Sequence, residues 1–261
     1  MRPGLVHLAR VTAAELSKLR TLPAVGLTVA ATVVAGGSVA ALAASSAVTG
    51  GAPRDPVGAV TEVVRFVQAG VVLLGVLPVA HESAGTQLRT TLAAVPRRAV
   101  LVAAKTLAAL VALAVTAAGT VCAMVGGAVV ATAPARGVAG EAAPGWAGPG
   151  AAVVAGDDLT RLAGAAVFLV LVGVLAHAVA LLLRELVPAL VATLGLVLIV
   201  SPLLGSLTEH ARWLPDQAAA LLWAPADPVL TPAAGALVAT AWVVVVGACG
   251  GARLVLVDAS G

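Results

Sequence analysis

The sequence predicts an all-α membrane protein with six transmembrane helices, and three observations carry that prediction. Of 261 residues, 61% are apolar, a further 28 are glycine and only 10% are charged, where a soluble domain carries roughly 25% charge. The 27 charges (15 basic, 12 acidic) leave six long charge-free runs, at 21–53, 66–81, 106–135, 162–183, 186–208 and 228–252. The runs do not alternate apolar with polar residues, so they do not suit strands of a membrane barrel. A mean hydropathy of +1.08 exceeds what a soluble core absorbs, and disorder needs the opposite composition.

A helical span needs about 20 mostly apolar residues. Five of the runs meet this outright, and the second does so if Val57–Val64 extends it, with Glu62 and Arg65 spaced to pair on one helix face near the outer interface. The predicted spans are 23–48, 57–80, 99–131, 160–183, 186–207 and 229–257. The apolar stretch 142–156 is broken by Pro144 and Pro149 and does not span. Ala41-Leu42-Ala43 looks like a signal cleavage site, but about 22 residues precede the first apolar run, which is also too long for a signal core. Cleavage is not expected.

Residues 1–22 form the first predicted element. Leu5, Leu8, Thr12, Leu16 and Leu19 make one helical stripe, with Arg10, Lys18 and Arg20 off it. This suits a helix lying in the inner interface, basic residues towards anionic headgroups, ended by Pro23. Between the second and third spans, Leu88, Leu92 and Val95 share one face of a short predicted helix that Pro96 stops. That helix either lies on the membrane or presents a knob to a soluble partner. Arg184-Glu185 is a tight hairpin, and 132–160 is a long external loop. Between the fifth and sixth spans, Gln217–Ala224 is a short apolar stretch flanked by Pro215 and Pro225. A re-entrant or interfacial helix fits it.

Orientation follows from charge. The segments 1–22, 81–105, 184–185 and 253–261 hold ten basic residues against four acids, and the opposite segments hold five against eight. The positive-inside rule places both termini in the cytoplasm. Trp146, Trp213 and Trp223 fall on the outer side, where indoles sit at headgroup level. The basic balance needs no nucleic acid.

No phosphate-binding loop, H-E-x-x-H, C-x-x-C or G-x-S-x-G motif occurs. No catalytic residue, metal ligand set or cofactor is assigned. Cys122 and Cys249 lie inside spans as small packing residues, and His177 reads as a neutral histidine bonded to a neighbouring helix. No ladder of acids crosses the bilayer, so the chain has no visible energy source of its own.

Two motifs resemble the ABC-2 type transporter permeases, membrane subunits of ABC exporters, in their Ala/Val-rich actinobacterial form. Ala14-Glu15-Leu16-Ser17-Lys18-Leu19-Arg20-Thr21 resembles the signature that precedes the first span. Glu82, Gly85-Thr86, Arg89-Thr90-Thr91-Leu92 and Val95-Pro96-Arg97-Arg98 through Lys105 resemble the first cytoplasmic loop. Trp213-Leu214-Pro215 is a weaker match. The chain departs where the family often carries aromatics, having Ala14 or Leu16 beside Glu15, and Ser83 after Glu82.

The resemblance implies a plasma-membrane permease that pairs with a second permease subunit and a separate cytoplasmic ABC ATPase. It implies that the interfacial helix, with Glu15, Lys18 and Arg20, and a coupling helix, with Glu82, Gly85, Thr86, Leu88, Arg89, Leu92 and Val95, dock that ATPase. Two other readings stand beside it: a non-transporting membrane immunity or sensor protein, and a membrane-embedded enzyme.

Overall fold

The computed structural model describes residues 3–51, 55–83, 98–133, 156–225 and 227–256. Among them every regular element is helical: α1 Pro3–Thr21, α2 Pro23–Thr49, α3 Pro56–Ser83, α4 Arg98–Thr132, α5 Gly156–Leu183, α6 Leu186–Leu194, α7 Ser201–Leu207, α8 Pro215–Ala220 and α9 Pro232–Leu256. A π-helical turn, Gly195–Val200, fuses α6 to α7, and a 3-10 turn, Glu209–Trp213, precedes α8. Six segments are long and apolar enough to cross a membrane: α2, α3, α4, α5, the composite Leu186–Leu207 and α9. This is the make-up of a multi-pass membrane protein.

α3 is the central helix, with 72% of its most apolar window buried, against 28%, 22% and 17% for α2, Leu186–Leu207 and α9. The outer three therefore offer most of their surface to lipid or to another chain. Between α2 and α4 the backbones approach closely, because α2 buries a stripe of small residues through Thr28, Thr32, Gly36, Ala40 and Ala44. A Cβ added at Gly127 would overlap the Gly37 carbonyl oxygen. Small residues that let backbones touch are how apolar helices associate without a hydrophobic difference from lipid. Several threonines in these helices turn their hydroxyls back onto their own chain, Thr32 to Thr28 O at 2.7 Å and Thr116 to Ala112 O at 2.8 Å, which satisfies those hydroxyls without help from lipid.

The fifth predicted span contains a feature the sequence pattern did not carry. Pro202 has no N–H to continue an α-helical ladder, and just before it the helix widens, with Ser201 N donating to Leu196 O across five residues. The Arg184-Glu185 hairpin forms with Arg184 in the left-handed region, at φ 63°. There its N–H closes the end of α5 on Ala180 O at 2.7 Å, while Arg253 donates to Leu182 O. The Arg253 guanidinium thus sits at the negative end of the α5 dipole. α9 starts at Pro232 because Asp227 captures the N–H groups of Val229 and Leu230, at 2.7 and 2.9 Å, in a turn.

After Leu207 the chain folds back along the bundle. Asp216 in α8 accepts a 2.5 Å hydrogen bond from Ser201, which lies about 9 Å before the end of the α7 helix at 1.5 Å per residue. Trp223 then packs edge-on against Phe168 of α5 at 6.0 Å. A Cβ at Gly164 would overlap the Leu222 carbonyl, so α8 and its following turn lie well inside the amino-terminal end of α5.

Candidate functional site

The sequence-predicted site residues fall into two groups. Gly85, Thr86, Leu88, Arg89, Leu92 and Val95 lie outside the described residues, as does the Glu82 side chain, although its backbone belongs to α3. Glu15, Lys18 and Arg20 are all on α1, and here the structure places groups together that spacing alone did not join.

α1 is an amphipathic helix whose two faces have different company. Leu19 is buried and Leu16 packs against the main apolar core, so the stripe's carboxyl-terminal end meets protein. Glu15 sits one turn before Leu19 on that same side and is only 5% exposed. A carboxylate cannot lie there unpaired without a large desolvation cost. It is paired twice: Lys18 Nζ donates to Oε1 at 2.6 Å and Lys105 Nζ to Oε2 at 2.8 Å. Lys105 belongs to α4 and is itself 6% exposed. Arg10, Ser17 and Arg20 remain exposed on the other side of α1.

Burial pushes the Glu15 carboxyl up, but the charge and hydrogen bond of Lys105, then those of Lys18, bring it below its ordinary value. The carboxylate is therefore the anionic centre of a buried lysine–glutamate–lysine cluster at the start of the bundle. Such a cluster holds no reacting group. Its chemistry is mechanical: displacing α1 from α4 would separate charges already removed from water.

Lys105 was missing from the predicted site. Its signal was present: it is one of the chain's two lysines, and it sits early in a predicted span, where an ammonium needs a partner.

His177 lies deeper in the same bundle. Its Nδ1 is 3.1 Å from Gly75 O of α3, and since a carbonyl only accepts, Nδ1 carries the proton. This is the helix-bridging contact expected of His177 from the sequence. The expected Glu62–Arg65 pairing is replaced by a different contact. Arg65 turns to the folded-back segment, 3.4 Å from Gln217 Oε1 and with its guanidinium 5.7 Å from the Trp223 ring centre. Trp223 supplies a cation–π face there, while Glu62 stays exposed. Among the described residues no group of three or more His, Cys, Asp or Glu side chains could hold a metal ion.

The chain matches no protein-family model and no curated protein sequence.

Proposed function

We propose that this chain is the membrane subunit of an ABC-2 type exporter, inserted in the plasma membrane with both termini in the cytoplasm. It pairs with a second permease subunit around the substrate path and is driven by a separate ABC ATPase. α1 lies at the inner interface, 82–98 is the coupling helix, and α8 re-enters the membrane from outside.

The observation that carries this reading is where α1 is held. Glu15 is joined to Lys105, about two turns into α4, and α4 begins at Arg98, where the 82–98 segment ends. The two segments that resemble ATPase-contacting elements therefore converge on one end of one helix. A push on either reaches the bundle through α4, and a switch driven by a partner's differential contacts needs such a rigid input.

The test is co-expression with the ATPase and comparison of Leu92→Asp with the parent chain. A charge placed in an apolar partner groove costs several kcal/mol, or about a hundredfold or more in affinity. The expected outcome is loss of ATPase co-purification with unchanged membrane insertion. Undiminished co-purification and transport would remove the coupling role.

A further inference from the structure

The folded-back segment borders an open cavity of about 330 Å³, within the usual range for small-ligand sites of roughly 300–1,000 Å³. Its polar wall is Arg65, Glu209, Arg212, Gln217 and Asp227, over a floor that includes Ala220 and Leu221. The four charged groups differ in how far they are already engaged. Arg212 is spent: it reaches Glu209 Oε2 at 3.0 Å and Asp227 Oδ1 at 3.2 Å. Asp227 also holds the N–H groups of Val229 and Leu230.

Arg65 is different. It belongs to a helix long and apolar enough to cross a membrane, yet it meets only one long hydrogen bond to Gln217, the face of Trp223 and the more distant charge of Asp216. Among the described residues no carboxylate lies within ion-pair distance of it. An arginine in such a helix is costly unless it meets water or an anion, and it marks function by default. Across the cavity, Glu209 meets Arg212 through one oxygen and leaves its side chain 89% exposed. Two guanidinium groups and two carboxylates give the lining no net charge, and the groups with most capacity left, Arg65 and the second oxygen of Glu209, come from different elements.

We propose that this cavity binds a small zwitterion of the phosphoethanolamine type, its phosphate on Arg65 and its ammonium on Glu209. A guanidinium fork suits a phosphate's paired oxygens, and a lining with separated but balanced charges selects against ligands of net charge. Either a phospholipid headgroup or a free phosphodiester zwitterion carries this chemistry. The site does not depend on the exporter reading.

The test uses the full chain in detergent, titrated with dihexanoyl phosphatidylethanolamine and, separately, glycerophosphoethanolamine. Tryptophan fluorescence is the readout, because Trp223 lies beneath Arg65. Saturable binding of at least one probe is expected: of the lipid alone if a headgroup is the ligand, of both if a free zwitterion is. Arg65→Gln should weaken binding by about tenfold or more, the scale of one charge-assisted contact, with Arg65→Lys intermediate and Arg10→Gln without effect. Glu209→Gln should erase the preference for dihexanoyl phosphatidylethanolamine over dihexanoyl phosphatidylglycerol. The proposal is overturned if neither probe saturates, or if the parent chain binds the phosphatidylglycerol equally well. Unchanged affinity in a folded Arg65 variant also overturns it.

Discussion

Glu15 and Lys105 stand 90 residues apart in the chain and 2.8 Å apart in the fold, each almost wholly buried. The pair fixes the rotation of α1, since the only face of that helix that can enter the bundle is the one that brings a carboxylate to the ammonium. Leu19 alone would tolerate sliding. A buried charge pair adds register to an apolar contact, whatever its net contribution to stability.

Removing one member should therefore harm more than removing both. Glu15→Gln leaves the Lys105 ammonium facing a neutral amide and is expected to destabilise by about 3–5 kcal/mol. Lys105→Met should cost less, because Glu15 keeps Lys18 at 2.6 Å. The double variant Glu15→Leu with Lys105→Met should recover most of the loss. Thermal unfolding in detergent measures all three, and additive losses would show that the two side chains do not act as a unit.

The same pair sets a pH response. The folded-state pKa of Glu15 lies below the ordinary 4.5, so its stabilisation is complete above about pH 4.5 and is lost as pH falls through the lowered folded value. The neighbours that face it are its two ion-pair partners, Lys105 and Lys18. Asp227, held low first by the N–H groups of Leu230 and Val229, titrates in the same direction, so the informative quantity is the difference between the parent and Glu15→Gln. That difference should shrink steadily on acidification, and a constant difference would contradict the assignment.

The architecture was legible because membrane helices write themselves as charge-free length. Six spans were expected and six helices are long and apolar enough to cross a membrane, and the hairpin at Arg184-Glu185 needed only two charged residues between two runs. The π-helical turn was not legible, since Leu196–Val200 reads as ordinary helix and only Pro202 hints at a disturbed ladder. Nor was the partner of Glu15: α1 shows its apolar stripe in the sequence, but whether lipid or α4 meets that stripe depends on tertiary packing. Arg65 was assigned to Glu62 by helical spacing, which cannot see that Gln217 and Trp223 fold back beside it.

His177 and Gly75 separate hydrogen bonding from close packing. His177→Asn can still donate to Gly75 O, so a change of about 1 kcal/mol or less is expected. Gly75→Ala should cost more, because the added Cβ overlaps the Gly173 carbonyl oxygen and α3 must move from α5. Unfolding of the two variants under one condition gives the order. A larger loss for His177→Asn would mean the ring does more than bridge two helices.

Asp216 offers the opposite case to Glu15. Burial raises its carboxyl against the hydrogen bond from Ser201 and the charge of Arg65, so ionisation works against the folded state as pH climbs through the ordinary value of 3.8 towards the raised folded value. Asp216→Asn keeps an oxygen to accept from Ser201 without a charge to desolvate, and should be neutral or stabilising at pH about 7. Asp216→Leu leaves the Ser201 hydroxyl without that acceptor in a fully buried position, at a cost of about 1–3 kcal/mol. A destabilising Asp216→Asn would show that the charge itself holds the folded-back segment, most directly through Arg65.

Orientation can be read with an impermeant thiol reagent once Cys122 and Cys249, both exposed on the helix bundle, are replaced by serine. The excess of ten basic residues over four acids on one set of segments predicts that this set lies in the cytoplasm. A cysteine at Ala143 should therefore label in intact cells, and one at Ala93 only after permeabilisation. Gln217 adds a depth marker. It lines the Arg65 cavity, so on that orientation a cysteine there should label from outside, but more slowly than at Ala143 because α8 lies inside the amino-terminal end of α5. Labelling at Ala93 and not Ala143 in intact cells would invert the molecule, turning the Arg65 cavity to the cytoplasm and the Glu15–Lys105 end away from any cytoplasmic ATPase.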